Sequence, residues 1–148
     1  MSDKKIPKVA EVTIAENLYL RNPSIDTLWE DTKALRVSNR PVEVYSDINM
    51  ILVQMTIDTI NQKPINEYVY ETFYEPMGLR YIQYLPLSKF KKEQIIPTED
   101  DKYWRKQVLY GYVHDPSAAV LGGVAGNAGL FSCANDLGIL FQMLVNRR

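Results

Sequence analysis

Apolar residues fall in blocks of different period along this chain. From Ile48 to Ile60 the residues Ile48, Met50, Ile51, Leu52, Val53, Met55, Ile57 and Ile60 occupy nearly every face of a helix, which predicts a core helix rather than an amphipathic surface one. Ser46 is its natural N-cap, the hydroxyl accepting from a backbone N–H one turn in. Asp47 follows in the first turn, where the positive end of the helix dipole favours a carboxylate. Tyr45 and Met50 flank this start as a hydrophobic staple. A second helix is predicted by Ile65, Tyr68, Val69, Thr72 and Phe73, spaced by three and four. It is entered through Gln62-Lys63-Pro64, with Pro64 suited to the first turn, and closed by a left-handed Gly78. The last block, Leu137, Leu140, Phe141 and Leu144, repeats the stripe behind a Ser132 cap and Asp136 in the first turn.

An earlier helix is expected from Ser24 to about Leu35, burying Ile25, Leu28, Trp29 and Leu35. Pro41 excludes helix from the connector over 36–44. Residues 9–20 look extended and place an N-terminal arm over 1–22. The segment 80–101 is rich in loop signals, and a short antiparallel pair is expected between 94–98 and 108–113. Neither an internal repeat nor a low-complexity tract interrupts the chain. The pattern therefore predicts a mainly α fold with one short antiparallel β pair, in a single domain over 1–148.

Length and composition agree with one packed unit, since 148 residues at 46% apolar content support one core but hardly two. A net charge of −1 supplies no global attraction to nucleic acid or an anionic membrane. The basic residues Lys89, Lys91, Lys92, Arg105 and Lys106 are separated by Glu99-Asp100-Asp101, and both signs are read as solvated surface. Cys133 is alone, so no intramolecular disulfide forms and no compartment can be inferred; it is expected as a small buried residue at a helix start. His114 is the single histidine, so no zinc set assembles with that one cysteine, and neither metal nor cofactor is expected. It reads as a tucked-in loop residue before the Asp115-Pro116 turn. No transmembrane-length apolar run is present.

The glycine segment Gly122-Gly123-Val124-Ala125-Gly126-Asn127-Ala128-Gly129 lacks the Lys-Ser/Thr of a phosphate loop. Its glycines are expected to supply positive φ and close backbone approach instead. Tyr68, Tyr70, Phe73, Tyr74, Tyr81 and Tyr84 form an aromatic cluster that reads first as core and rim packing, with a glycan or peptide platform as the other option.

Several segments in fixed order carry a resemblance. Tyr45-Ser46-Asp47-Ile48 is followed by Phe73-Tyr74-Glu75-Pro76-Met77-Gly78-Leu79, Pro97-Thr98-Glu99, Gly111-Tyr112-Val113-His114-Asp115-Pro116, and the stretch from Gly122 to Ser132. Together they resemble the penicillin-binding-protein and class C β-lactamase superfamily of serine hydrolases, over roughly Ser24 to the C-terminus. Within it, the modules that some bacteria carry fused behind a family 3 glycoside hydrolase domain look most similar. The resemblance implies the helical region of an α+β transpeptidase-like fold, and acyl transfer as the chemistry. It also implies an exported parent protein.

The superfamily has three motifs: a Ser-x-x-Lys opening a buried helix, a Tyr-x-Asn or similar step, and a Lys/His-Thr/Ser-Gly strand. Tyr45-Ser46-Asp47 matches the second. The resemblance assigns Tyr45 to proton relay between the nucleophile and the leaving group. Asp47 stands where the family more often has asparagine, and when ionised it can only accept hydrogen bonds. Ser46, Gly126 and Asn127 are placed at the substrate side of the cleft. Two formal Ser-x-x-Lys matches, Ser2-Asp3-Lys4-Lys5 and Ser88-Lys89-Phe90-Lys91, do not begin apolar helices and are not expected to hold the nucleophile.

The expectation is thus a piece of a larger serine hydrolase, without the nucleophile and the third motif, and inactive alone. Its substrate class would be a β-lactam, a D-alanyl peptide or an ester, with a small or peptidoglycan-derived acyl substrate in the intact protein. Self-association through an uncovered apolar face is expected as well. The alternative is a non-catalytic binding or structural module for a cell-wall glycan or a protein, in which Tyr45-Ser46-Asp47 only starts a helix.

Overall fold

A computed structural model describes residues 11–21, 30–34 and 43–146. It shows a mixed α+β arrangement with three short two-stranded antiparallel sheets where one pair was expected, so the mainly α reading fits only loosely. Strands β1 (Glu11–Ala15) and β2 (Leu18–Arg21) pair antiparallel, Val12 opposite Leu20 and Thr13 opposite Tyr19. The extended arm is thus a hairpin over its described part. Asn17 turns it at a positive φ of 56°, a conformation its short amide side chain tolerates. Of the helix expected over Ser24 to Leu35, residues 30–33 are helical and 22–29 lie outside the described residues.

Helix α1 (Asp47–Asn61) is the predicted long helix, but it is not a core helix: none of its residues is fully buried, and Ile60 is 74% exposed. The next helical segment contacts it, and the glycine segment approaches it closely at Gly126. Gln62 ends it in the left-handed conformation, and Pro64 takes the N-cap of the next helix, one place earlier than the first turn.

Helix α2 (Ile65–Val69) continues into a π turn, Tyr70–Tyr74, in which Glu75 N–H donates to Tyr70 C=O at 2.8 Å. Pro76 just beyond has no N–H and its ring crowds the carbonyl a turn back, a local cause for the widening. The wider turn shifts the helical phase. Tyr74 is therefore the buried residue of this segment, whereas Thr72 and Phe73, predicted inward, face out. Gly78 closes the turn with φ 70°, and Leu79 behind it is buried.

Strand β3 (Gln83–Tyr84) pairs with β6 (Leu130–Phe131). Strands β4 (Pro97–Asp101) and β5 (Gln107–Tyr110) form the expected antiparallel pair, with β4 starting three residues later than expected, behind a 3-10 turn over 92–94, and β5 starting one residue earlier and ending at Tyr110. Helix α3 (Pro116–Val120) follows an Asp115 N-cap, and α4 (Ala134–Asn146) ends the described chain.

Two apolar clusters organise these pieces. Ile14 of the hairpin packs with Val113, Ala118, Ala119 and Ala125, the small alanines letting α3 and the glycine segment come close. Tyr74, Leu79 and Ile82 form the other, with Leu140 of α4 against them. On α4 the inward face is Asp136, Leu140 and Met143, so of the predicted stripe Leu140 packs inward while Leu137, Phe141 and Leu144 are exposed, the last two at 60% each. The buried Asp136 carboxylate explains the difference, since it accepts from the N–H groups of Tyr81 at 2.6 Å and Ile82 at 3.1 Å and sets the rotation of the helix. Burial alone would push this carboxyl upward. The hydrogen bonds from Tyr81, Ile82, Asn135 and Arg80 reverse that and hold it below the usual carboxylate range.

Arg105 and Asp101 overturn the solvated-surface expectation for their charge clusters. Both are buried, and Arg105 Nε donates to Asp101 Oδ2 at 2.7 Å. Asp101 also accepts from the N–H groups of Tyr103, Trp104 and Arg105, which folds the β4–β5 connection around it. His114 differs too: its side chain is exposed, and its carbonyl is what the fold uses. Among the described residues no helix is long and apolar enough to cross a membrane.

Candidate functional site

The start of α1 presents the residues singled out by the sequence. Ser46 has the extended backbone of an N-cap, φ −150° and ψ 128°, and its carbonyl accepts from Asn49 N–H at 3.2 Å. Its hydroxyl makes no capping hydrogen bond, contrary to expectation. Asp47 is in the first turn, and its carboxylate turns back to accept the phenolic O–H of Tyr45 at 3.2 Å. The Tyr45 side chain is thus held over the helix start rather than in the core, and the residue is 86% exposed.

Among the described residues, the charged groups that act on the phenol are carboxylates. Its pKa is pushed above the ordinary value first by the hydrogen bond to Asp47, then by the charge of Asp47 and, more weakly, of Asp115. That places Asp115 within electrostatic reach of the α1 start. The sequence did not single out Asp115 for the site. Its available signal was the Asp-Pro pair before small residues, the pattern of an N-cap with proline at N1.

Asp115 joins two elements. Its Oδ1 caps α3 by accepting Ala118 N–H at 2.7 Å, and the same oxygen accepts Asn127 Nδ2 at 3.1 Å. Asn127 Oδ1 is buried with no hydrogen-bond partner, leaving an unfilled acceptor next to that carboxylate. The turn before Asp115 is fixed from below by Arg105, whose Nη1 donates to the Val113 carbonyl at 2.6 Å and whose Nη2 donates to the His114 carbonyl.

Gly126 joins the glycine segment to α1. Its N–H donates to Gln54 Oε1 at 2.8 Å, and Gln54 Nε2 reaches the Val124 carbonyl at 3.4 Å. A Cβ at Gly126 would overlap the backbone carbonyl of Met50, so the close approach expected of this segment is real at this position. The Gly126 N–H is thereby committed to Gln54. The structure thus brings Tyr45, Asp47, Asp115 and Asn127 toward one end of the α1 and glycine-segment contact.

The Ser88-Lys89-Phe90-Lys91 match does not form a serine–lysine pair. Ser88 Oγ donates to the Leu85 carbonyl at 2.8 Å in an exposed 3-10 turn, and Lys91 is exposed. The Ser2 match lies outside the described residues. Cys133 is partly buried just before α4, and Leu137 N–H donates to its carbonyl at 3.1 Å, so it occupies the cap position expected for Ser132. A cleft of about 380 Å³ between β1 and the glycine segment is lined by Val12, Ile14, Leu87, Tyr112 and Gly123 among others. It does not include Tyr45 or Asp47.

No family model matches the chain, and no solved structure matches it. Among curated proteins it is similar to one from Salmonella gallinarum named "Putative D-alanyl-D-alanine carboxypeptidase", with 32% identity over 152 residues, 95% of this chain and 35% of the relative. A protein of the same name from Escherichia coli K12 is 36% identical over 115 residues, 70% of this chain and 26% of the relative. The chain spans about a third of the length of the curated relatives it matches. Relatives of this name at 32–36% identity support a penicillin-binding, serine-peptidase-like family for the chain.

Proposed function

We propose that this chain is the tyrosine-bearing region of an acyl-transfer hydrolase acting on a D-alanyl-D-alanine-type substrate derived from peptidoglycan. The observation that carries this is the exposed Tyr45 phenol, fixed by Asp47 at a helix start, in a chain similar over 95% of its length to a relative of that name. In this role Tyr45 passes a proton between a serine oxygen and the leaving group, and Asp47 orients the phenol. Asn127, held by Asp115, lies on the substrate side with Ser46 and Gly126. The nucleophilic serine, its lysine and the Lys/His-Thr-Gly strand come from segments other than these 148 residues.

The chain alone accordingly turns over neither a chromogenic β-lactam nor a short-chain ester. Turnover that disappears in Tyr45→Phe would overturn that part of the proposal. Substrate class is tested by an NMR titration with N-acetyl-D-alanyl-D-alanine. Shifts confined to Tyr45, Asp47 and Asn127 support it, and shifts elsewhere, or none, count against it.

One observation favours the binding-module alternative. With carboxylates as its charged neighbours among the described residues, the phenol is pushed up rather than down, opposite to the direction a lysine partner would give. A phenol depressed below about 10 in a longer polypeptide containing this segment separates the two, since a nearby cation shifts it in that direction and the carboxylates Asp47 and Asp115 do not. Self-association belongs to the same proposal. Leu137, Phe141, Leu144 and Val145 form an outward apolar stripe on α4, and sedimentation that shows a monomer at all concentrations would exclude pairing through it.

A further inference from the structure

Gln54 ties the glycine segment to α1 through an amide whose outline fits either way round. As placed, its Oε1 accepts the Gly126 N–H at 2.8 Å, and its Nε2 points to Asp58 Oδ2 at 3.3 Å and to the Val124 carbonyl at 3.4 Å. Turning the amide over would set Nε2 against the Gly126 N–H and Oε1 against a carboxylate, so the charge of Asp58 fixes which end faces Gly126. Asp58 gains little in return. Its Oδ1 is buried with no hydrogen-bond partner. Burial pushes the carboxyl above its usual range, and the hydrogen bonds from Gln54 and the Ile65 N–H offset that only in part. A buried carboxylate without a countercharge is a cost to the fold, which directs attention to what it orients.

We infer that Asp58 is a positioning residue for the Tyr45 site, acting through Gln54 on the glycine segment that carries Asn127. Asp47, Gln54 and Asp58 follow one another on α1 at intervals of seven and four residues, which puts them on one face of the helix. The face that holds the phenol's acceptor at its start therefore holds the glycine segment two turns later. Gly126 directly precedes Asn127, whose amide Asp115 fixes from the other side. The Gln54 contact thus sets where Asn127 lies along α1 relative to Tyr45 and Asp47. The role of the site rests on the acyl-transfer reading, but its geometry is testable without any substrate. Each element around Asp58 is electrostatically quiet toward it. From β3, Tyr84 feels the Asp58 charge, and Tyr74 of the π turn acts on Tyr84; burial pushes both phenols upward, so they stay neutral in acid. Lys63, whose N–H donates to the Asp58 backbone carbonyl, has its ammonium on Glu71, with Glu67 nearby. The glycine segment brings no ionisable side chain. Among the described residues no charged group shifts Asp58 itself.

The test is a 1H–15N NMR titration of the protein from pH 7 to pH 3, with the Asp58 carboxyl followed by its 13Cγ shift. The Gly126 amide and the Gln54 side-chain amide are expected to move with the Asp58 midpoint, because protonation turns a charge-assisted hydrogen bond into a neutral one. Asp58→Asn should lose that inflection and show, at pH 7, the Gly126 shift that the parent protein reaches in acid. In Asp58→Ala the Gly126 amide should exchange about fivefold faster relative to Leu109, the effect of about one net hydrogen bond. Dispersed spectra of both variants show that they fold. A Gly126 amide that stays flat through the Asp58 titration, the same inflection in Asp58→Asn, or equal acceleration at Gly126 and Leu109 each overturns the inference. No substrate analogue is present in these measurements, so a failure of the acyl-transfer reading is told apart from a failure of this one.

Discussion

The backbone N–H of Gly126 donates to Gln54 Oε1 at 2.8 Å, at a point where the Gly126 Cα nearly touches the α1 backbone at Met50. The obstacle to a larger residue is a carbonyl, which cannot swing aside as a side-chain end can. Gly126→Ala therefore forces α1 and the glycine segment apart and costs about 2 kcal/mol. A chemical-denaturation curve reads this directly. Gln54→Leu, which keeps the volume but removes the hydrogen bonds to Gly126, Val124 and Asp58, is expected to cost at least about 1 kcal/mol. If Gly126→Ala melts like the parent protein, the close contact is wrong.

Arg105 links the β4–β5 connection to the carbonyls that precede Asp115. Replacing it by leucine leaves the Asp101 carboxylate buried with its backbone N–H partners but without a countercharge, and removing one member of a buried ion pair is strongly destabilising. The melting temperature is expected to fall by about 10 °C. NMR shifts should extend through Val113 and His114 to Asn127, because that turn loses its anchor. Shifts confined to the 101–106 connection would show that the clamp does not reach the candidate site.

The same pair sets an acid dependence. The Arg105 hydrogen bond and the N–H groups of Trp104, Arg105 and Tyr103 hold the Asp101 carboxyl below the usual carboxylate range. A depressed folded-state value means that the stabilisation is complete above about pH 4, the unfolded range, and is lost as pH falls through the lower folded value. Asp101→Asn should thus differ most from the parent protein at neutral pH, and the difference should shrink on acidification below pH 4. Denaturation midpoints measured from pH 7 to pH 2 check the sign.

Element types are legible in the sequence where local chemistry decides them. Ser46-Asp47 opens α1 and Gly78 closes the second helical segment, while the strand pair forms near its expected place although β4 is the polar run Pro97–Asp101 rather than the apolar Ile95-Ile96 before it. Burial is less legible, since it depends on what arrives from elsewhere in the chain. Asp101 and Arg105 look like surface charges until the fold carries Val113 and His114 over the guanidinium. Asp136 reads as a helix-start carboxylate, and only the distant Tyr81 and Ile82 backbone gives it a buried role. The π turn shifts Tyr74 into the core in place of Phe73, a one-residue change of phase that an ideal helical period cannot anticipate. Within the site, Tyr45 and Asp47 stand out by their place before an apolar block. Asp115 and Gln54 act through partners 12 and 72 residues away, and no local pattern marks them.

Removing the Asp136 carboxylate should loosen the start of β3 before it unfolds the protein. Asp136→Ala leaves the N–H groups of Tyr81 and Ile82 without their acceptor, and a buried open donor costs about 1–3 kcal/mol. Hydrogen exchange at these two amides should accelerate more than at Leu109, which is buried in the separate β4–β5 pair. Equal acceleration at all three would mean global destabilisation only.

The Tyr45 titration is the most direct probe of the candidate site, because it reports the group itself. With Asp47 accepting a hydrogen bond from its O–H at 3.2 Å, the phenol should ionise above its ordinary value in this chain. Asp47→Asn removes the negative charge while keeping an acceptor, so the phenol should move down toward about 10. Asp115→Asn should move it in the same direction but less, since its influence is through space and lacks a hydrogen bond. The 13Cζ shift of Tyr45 followed from pH 8 to pH 12 resolves this residue from the nine other tyrosines of the chain. If neither substitution lowers the value, the Tyr45–Asp47 contact does not form in solution, and with it goes the orienting role proposed for Asp47.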